Sequence, residues 1–458
     1  MSKNTAVILA GGSGSRMGYE LPKQFLKVAG KSILEHTVNA FEIHPLIDEI
    51  AIVVHPEFID LVEQQQLKNK WTKLKKILRG GEQRSDSSLA AINAFRDQKD
   101  VNLIFHDAVR PLVSQRIITD NIEALKKYDA VDTAVPSADT IIRLESKMEL
   151  IDEIPEREFL RKGQTPQSFR FECISKAYEI GLKDLNFKAT DDCGIVRKYL
   201  PDTKIFVVSG DQQNIKLTYK EDIFLVDKLF QLKSAEISSG FDISALKDKV
   251  IVIFGGSEGI GAEIVKICNS NQIKIYPFSR SLNQTDVCNP NDVKSALENV
   301  FQKEGKIDCV INTAGLLIKN MLSSLDDNEV DRLLDVNLKG VVVCAREAYP
   351  YLKKSKGSFL SFTSSSYTRG RAFYSLYSAT KAAIVNFTQA IAEEWEADGI
   401  RANCINPERT KTGMRTKNFG FEPDDSLLMP DRVAMVALNV LSGRLNGQVV
   451  DVKVNDKK

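Results

Sequence analysis

Short apolar runs alternate with longer amphipathic stretches along the whole chain. In the first half, residues 6–10 (AVILA), 49–54 (EIAIVV), 101–105, 130–135 and 204–208 read as buried strands. Residues 32–41 and 87–95, between them, carry apolar positions at helical spacing. Wholly apolar strands separated by helical stretches predict βαβ units and a mostly parallel sheet. The pattern restarts at 250–254 (VIVIF) and continues through 274–278, 308–312 and 358–362. Between the halves, residues 233–249 (KSAEISSGFDISALKDK) carry serines, Gly240 and mixed charge, as linkers do. The expected organisation is α/β, with two doubly wound domains at 1–236 and 248–458 joined by a linker at 237–247.

Composition narrows the classes. Of 458 residues, 43% are hydrophobic and 27% charged, which fits a globular chain and excludes wholesale disorder. Lys and Arg number 62 against 61 Asp and Glu, so bulk charge attracts neither nucleic acid nor an anionic membrane. The apolar stretch at 6–10 is too short for a signal peptide, and no run approaches the ~20 residues that span a bilayer. Seven dispersed cysteines without a CxxC pair are expected to be reduced, small buried hydrophobes of a cytoplasmic protein. The four histidines, His36, His44, His55 and His106, all lie in the first quarter. Acid–base chemistry in the second half must therefore use Tyr, Lys, Ser, Asp or Glu.

Two glycine-rich loops follow strands. The first reads Gly11-Gly12-Ser13-Gly14-Ser15-Arg16-Met17-Gly18. Glycines let backbone N–H groups approach a polyphosphate, and Arg16 and Lys23 place cations beside that nest. A surface turn with two solvated cations is the plainer alternative. Gly30-Lys31-Ser32 imitates the end of a Walker A loop, but Phe25 stands where that motif needs its first glycine, so the tripeptide reads as a turn. The run at 101–105 ends in His106-Asp107-Ala108-Val109-Arg110-Pro111. Ligands of open α/β sheets bind beyond the carboxyl ends of the strands, so Asp107 is a candidate ligand for a Mg²⁺ that bridges phosphates; a turn cap is its other reading.

These segments, with GGEQRSDS at 80–87 and NIK at 214–216, resemble the cytidylyltransferases of the isoprenoid-pathway type over residues 4–230. The resemblance implies a Rossmann-like domain that transfers CMP from CTP to a sugar- or polyol-phosphate and releases pyrophosphate. It implies that Ala10, Gly11, Gly12, Gly14, Ser15, Arg16 and Lys23 bind the triphosphate. Glu82 and Ser87 would lie near cytosine and ribose, Asp107 would face Mg²⁺ and the acceptor, and Lys216 would contact the α-phosphate. Arg110, Thr140, Arg157 and Thr165 match acceptor-binding positions, some reaching across a homodimer or higher homo-oligomer. The acceptor phosphate is already a nucleophile, so Arg16, Lys23, Lys216 and a metal suffice by positioning and charge neutralisation. GQTPQSF at 163–169 is closer in wording to a ribitol-phosphate branch than to the isoprenoid branch.

The second loop reads Gly255-Gly256-Ser257-Glu258-Gly259-Ile260-Gly261, between a strand and a helical pattern. That placement predicts a pyrophosphate cradle at a helix N-terminus. The next strand ends Phe278-Ser279-Arg280, where an arginine suits the 2′-phosphate of NADPH and a carboxylate would suit NAD. A solvated surface position is the alternative for Arg280. Tyr377 and Lys381 are four apart and share a helix face. An ammonium beside a phenol is expected to lower its pKa and make Tyr377 a general acid, with Ser364 bonding the same carbonyl. Tyr374 competes, but Ser378 at its i+4 position offers no cation.

Asn312-Thr313-Ala314-Gly315, Asn337, Ser364 and the Tyr377/Lys381 pair make residues 248–458 similar to short-chain dehydrogenases/reductases, themselves Rossmann-like. The resemblance implies hydride transfer from a nicotinamide, with Asn337 holding a relay water. It implies that Gly255, Ser257, Gly259, Ile260, Gly261, Ser279, Arg280, Asp286, Asn312, Ala314 and Gly315 hold the cofactor while Pro407 and Thr412 cover it. Glu408 departs from the usual glycine, and Glu258 stands where many NADP-preferring members carry a cation. Joined, the halves are expected to reduce a pentulose 5-phosphate, ribulose 5-phosphate, and to couple the pentitol 5-phosphate to CMP for surface polysaccharide synthesis. Arg369 and Arg371 are then candidates for the substrate phosphate, or merely solvated loop residues. Two alternatives stand beside this: a methylerythritol-phosphate cytidylyltransferase fused to an unrelated reductase, and a transferase with a non-catalytic dimerisation scaffold.

Overall fold

The computed structural model describes residues 2–12, 21–81, 83–98, 100–145, 148–188, 191–233 and 243–454. The chain divides into two compact units, Met1–Leu229 and Phe230–Lys458.

The first unit is built on seven strands: β1 (Lys3–Ala10), β2 (Glu49–Val54), β3 (Leu74–Arg79), β4 (Val101–Asp107), β5 (Ala130–Pro136), β6 (Arg161–Arg170) and β7 (Ile205–Ser209). Their spatial order is β7-β5-β6-β4-β1-β2-β3. Only β6 runs antiparallel to its neighbours. Each apolar run read from the sequence forms a strand; in β1, β2 and β4 alternate side chains feed two cores, whereas the edge strand β7 leaves Phe206 and Val207 exposed. Ile8, Ile52 and Ile104 pack on one face of the sheet, and Val7, Val53 and Phe105 on the other.

Two strands lie outside that pattern. The edge strand β3 (LKKILR) fully buries Leu74 alone. β6 (RKGQTPQSFR) is polar and contains a glycine and a proline, yet it lies inside the sheet. It is held by side-chain hydrogen bonds: Ser168 Oγ donates to Asn121 Oδ1 at 2.9 Å, and Gln167 Nε2 to Asp132 Oδ1 at 3.0 Å. Its ladder with β5 breaks between Gln164 and Ser168, around Pro166, which has no N–H to give. The turn expected at Gly30-Lys31-Ser32 lies one residue earlier: Ala29 and Gly30, both with positive φ, form a two-residue hairpin loop, and Lys31–Ser32 are its second strand. Ser32 then caps the helix Ile33–Glu42 reciprocally with Glu35.

The second unit has six parallel strands: β8 (Val250–Phe254), β9 (Lys274–Phe278), β10 (Cys309–Asn312), β11 (Ser358–Phe362), β12 (Arg401–Pro407) and β13 (Val449–Val452), ordered β9-β8-β10-β11-β12-β13. Among the described residues β9 pairs with β8 alone, so it is an edge strand. Asn283 closes its end: Nδ2 donates to the Pro277 carbonyl at 3.0 Å, and Oδ1 accepts from the Ser279 N–H at 3.0 Å. Of the expected linker 237–247, residues 237–242 lie outside the described residues. Ile243–Leu246 form one helical turn whose Leu246 is buried with Ile251 and Ile253.

In both sheets the strand order reverses beside the first strand, between β1 and β4 and between β8 and β10. Open α/β sheets bind ligands at such switch points. Among the described residues no helix is long and apolar enough to cross a membrane. All seven cysteines are unpaired, and five are buried.

Candidate active sites

At the first switch point Leu9 of β1 lies in register with Asp107 of β4. The loop after β1 passes close to the 80–87 segment: a Cβ at Gly11 would sit 2.7 Å from Ser87 Oγ, so any larger residue there would displace that hydroxyl. Gln24, fully buried, holds the loop base by donating to the carbonyls of Ala10 at 2.8 Å and Gly12 at 3.0 Å. Gly14, Ser15, Arg16 and Glu82 lie outside the described residues.

Asp107 is the electrostatic centre of this site. Lys216 Nζ is 3.0 Å from its Oδ2, Arg110 Nε 3.4 Å from the same oxygen and Arg84 Nε 3.8 Å from Oδ1. Burial pushes the carboxyl up, but the three cations outweigh burial and hold it well below the usual carboxylate range. Lys23 Nζ donates to the Leu217 carbonyl at 2.9 Å, and the Leu217 N–H to Val109 at 3.0 Å. The two lysines and the turn after β4 are thereby tied into one wall. Arg110 is buried and also donates to the Asn214 carbonyl at 2.8 Å, so its guanidinium organises that wall.

Thr165 joins the cluster through His106. Burial pushes this imidazole down to about 4, so it is neutral near pH 7. Nε2 faces the Arg110 carbonyl at 3.1 Å and must carry the proton; Nδ1 then accepts from Thr165 Oγ1 at 3.0 Å. The same hydroxyl accepts from the Asp107 N–H at 3.1 Å. Thr140 and Arg157 are brought together elsewhere, hydrogen-bonded to each other on the exposed segment after β5.

Arg84 escaped the reading of the sequence. It opens the helix Arg84–Ala94, where a cation opposes the helix dipole, and that placement is the signal. It bridges Asp107 to the fully buried Asp192, 2.7 Å from NH1, which in turn accepts from Tyr178 OH at 2.7 Å.

At the second switch point Phe254 lies in register with Asn312. Gly255 has φ +84°, and a Cβ there would sit 2.5 Å from the Ala314 nitrogen; one on Gly261 would sit 2.2 Å from the Gly255 carbonyl. The helix Gly259–Ser270 begins at Glu258, whose side chain caps nothing, leaving N–H groups open toward the cleft. Asn312 Oδ1 accepts from the Ala314 N–H at 2.9 Å, while its buried Nδ2 has no hydrogen-bond partner.

One cleft of about 460 Å³ collects nearly all of the remaining expected residues. It is lined by Gly255, Ser257, Gly259, Ile260, Gly261, Ser279, Arg280, Asp286, Ala314, Gly315, Pro407 and Thr412 on the cofactor side, and by Ser364, Tyr377 and Lys381. Arg369 and Arg371 are not among its lining residues, and Arg369 is exposed on the loop. Glu408 replaces the usual glycine for a local reason: its Oε2 accepts from the Val454 N–H at 3.0 Å, just beyond β13.

The helix Ser375–Glu394 carries Tyr377 and Lys381 on one face. The expectation that Lys381 lowers the Tyr377 pKa is corrected here. Burial dominates and pushes the phenol up to about 12, against a hydrogen bond from Ser364 and the nearby charge of Arg415, which lower it. Burial also pushes Lys381 down to about 8. Its Nζ donates to the Phe362 carbonyl at 2.9 Å and lies 5.5 Å from the Tyr377 ring centre. Asn337 sits in a π-helical turn, Asp335–Lys339, inside a long helical run. Its side chain pairs with the Leu316 backbone, accepting and donating at 2.8 Å. The side-chain amide is therefore spent on positioning.

A triphosphate-type site on one domain and a dinucleotide-type cleft with a Ser–Tyr–Lys set on the other define a two-domain enzyme, nucleotidyltransferase joined to oxidoreductase. The comparisons agree domain by domain. Residues 4–231 match the 2-C-methyl-D-erythritol 4-phosphate cytidylyltransferase family, and residues 249–422 the short chain dehydrogenase family. Over 462 aligned residues, covering 100% of this chain and 97% of the relative, the sequence is 46% identical to the bifunctional ribulose 5-phosphate reductase/CDP-ribitol pyrophosphorylase of Haemophilus influenzae. The chain belongs to that bifunctional family.

Half-length relatives match the first domain. The 2-C-methyl-D-erythritol 4-phosphate cytidylyltransferase of Thermobifida fusca is 41% identical over 235 residues, 50% of this chain and 94% of that protein. The ribitol-5-phosphate cytidylyltransferase of Lactiplantibacillus plantarum is 36% identical over 234 residues, 50% of this chain and 99% of that protein.

Proposed function

We propose that the second domain reduces ribulose 5-phosphate to ribitol 5-phosphate with NADPH, and that the first domain then forms CDP-ribitol and pyrophosphate for surface polysaccharide synthesis. The observation that carries this is the complete Ser364–Tyr377–Lys381 set, lining one cleft, on the same chain as the Asp107-centred cation cluster. A dimerisation scaffold has no use for such a set.

The cradle at Gly255 and Gly261, the uncapped helix start and the orphaned Asn312 amide fit a dinucleotide, and Arg280 in the same cleft fits a 2′-phosphate. When bound there, NADPH would supply the hydride for reduction at C2 of the ketose. Tyr377, neutral at pH 7, gives its proton to the C2 oxygen while Ser364 orients that oxygen. The Lys381 ammonium stabilises the phenolate left behind. With its amide committed to Leu316, Asn337 holds the relay water by its backbone carbonyl.

In the transferase, an oxygen of the acceptor phosphate attacks the α-phosphorus of CTP, and the bond to the β-phosphate bridging oxygen breaks to release pyrophosphate. Arg16, Lys23 and Lys216 neutralise the developing charge. Among the described residues no group of three His, Cys, Asp or Glu could hold a metal. Asp107 would be the residue to hold a Mg²⁺ that arrives with the nucleotide, and such an ion would supply charge neutralisation there. Glu82 and Ser87 hold the nucleoside, and Thr140, Arg157 and Thr165 the acceptor. Thr140 and Arg157 sit in an exposed segment with Ile142, Leu150, Ile154 and Phe159, also exposed. That apolar arm supports a homodimer in which the arm reaches the partner's site.

Purified protein given ribulose 5-phosphate, NADPH and CTP is expected to yield CDP-ribitol, and to yield none when NADPH is omitted. CDP-ribulose formed without NADPH would overturn the order of steps. Preference for methylerythritol phosphate over ribitol 5-phosphate would move the first domain to the isoprenoid reaction.

A further inference from the structure

The reduction proposed above requires a site for a phosphate three carbons from the reacting carbonyl. The loop arginines Arg369 and Arg371 do not line the cleft, so the cation must come from elsewhere. A row of aromatic rings leads away from the catalytic phenol. Tyr374 meets Tyr377 edge-on at 6.3 Å between ring centres, and Phe419 meets Tyr374 edge-on at 5.8 Å. The guanidinium of Arg415 lies 3.8 Å from the centre of the Phe419 ring and ends the row. Tyr374, Tyr377, Arg415 and Phe419 all line the one cleft.

Arg415 is already in a phosphate-like embrace. Glu422 accepts from its Nε at 2.7 Å and from its NH2 at 2.8 Å, a two-pronged carboxylate pair. The same fork matches two oxygens of a phosphate, and stacking on a ring fixes its plane. Arg415 lines the cleft and its side chain is 20% exposed, so a ligand there can reach it, while Glu422, 18% exposed, holds the fork from just behind the lining. A second arginine, Arg409, is exposed, lines the same cleft and acts electrostatically on Glu422.

We propose that Arg415 receives the substrate's phosphate in the reductase site, and that Glu422 occupies its fork until a phosphate takes that edge over. This rests on the reading of the reaction given above. The internal carboxylate acts as a competitor that only a strongly charged ligand displaces. An unphosphorylated ketose leaves Arg415 paired with Glu422 and gains nothing from it. The aromatic row between Tyr377 and Arg415 sets how far the carbonyl and the phosphate stand apart, and so selects a chain length.

The two partners therefore make opposite predictions. Arg415→Ala should raise KM for ribulose 5-phosphate on the order of 10–100-fold, the usual worth of a charged hydrogen bond, and shrink the preference for ribulose 5-phosphate over ribulose by a similar factor. Glu422→Gln should lower that KM and make inorganic phosphate a stronger competitive inhibitor. A rise in KM for both variants would mark the pair as a structural brace and overturn the proposal, as would an unchanged preference in Arg415→Ala. Should wild-type protein oxidise no NADPH with ribulose 5-phosphate, the functional reading fails and the clamp is judged by itself. Phosphorus NMR line broadening of inorganic phosphate, with NADPH and CTP saturating the other anion sites, should then be weaker in Arg415→Ala than in wild type. Equal broadening would sink the clamp.

Discussion

Lys381 shows how one burial decides both chemistry and stability. Its ammonium is stripped of water, which pulls its pKa to about 8 from 10.5. Reduction that relies on the ammonium should lose kcat/KM as pH rises through about 8, with a single basic limb. Tyr377, at about 12, contributes no limb in that range. A profile flat to pH 10 would exclude Lys381 as the group that titrates. The unfolded chain keeps its proton up to about 10.5, so between the two values it binds more protons than the folded domain, and stability rises with pH there. Below pH 8 the buried charge costs on the order of 3 kcal/mol. Lys381→Met should therefore raise Tm at pH 7 while disabling reduction. At this scale the sequence exposes residues whose chemistry is tied to a motif, such as Asp107, Ser364 and Tyr377. It hides those that work through a spatial partner. Arg84 acts through Asp192, Gln24 through two carbonyls and Arg415 through Glu422, and none of these pairs belongs to a recognised spacing.

Among the elements, the helix Ser375–Glu394 fixes the register of catalysis. Tyr377 faces Ser364 and Lys381, whereas Tyr374, at the helix N-cap, packs edge-on between Tyr377 and Phe419. Tyr377→Phe should cut reduction roughly 10²–10⁴-fold, the loss expected for a general acid. Tyr374→Phe keeps the ring and should change reduction by much less. The reverse ranking, measured as NADPH oxidation, would put the acid on Tyr374. Most strands that feed two apolar cores were legible because burial on both faces leaves a continuous hydrophobic run; β12, broken by Asn403 and Asn406, and the four-residue β13 feed two cores as well and were not read. β6 was not, because its interior positions are filled by Gln164, Thr165, Gln167 and Ser168, whose burial is made tolerable by hydrogen bonds that no periodicity announces. The edge strand β3 hides behind its lysines in the same way. Segments 161–170 and 74–79 look like loops until the groups they pair with are known.

For the whole molecule, both units place their candidate ligand sites where the strand order reverses, which is why two unlike glycine loops could be read by one rule. The proposed dimer would rest on the arm after β5. If the arm joins two copies, Phe159→Asp combined with Ile154→Asp should halve the mass seen by light scattering and lower cytidylyl transfer more than reduction. A wild-type mass of one chain, or an unchanged mass in the variant, would remove the dimer. The β9 edge of the second sheet behaves differently. β9 presents an open sheet edge, the feature through which foreign strands attach and aggregates grow. Pro277 withdraws one donor from that edge, and Asn283 already occupies the Pro277 carbonyl. At high concentration during synthesis, the reductase domain should therefore resist strand-to-strand recruitment along the β9 edge of its sheet.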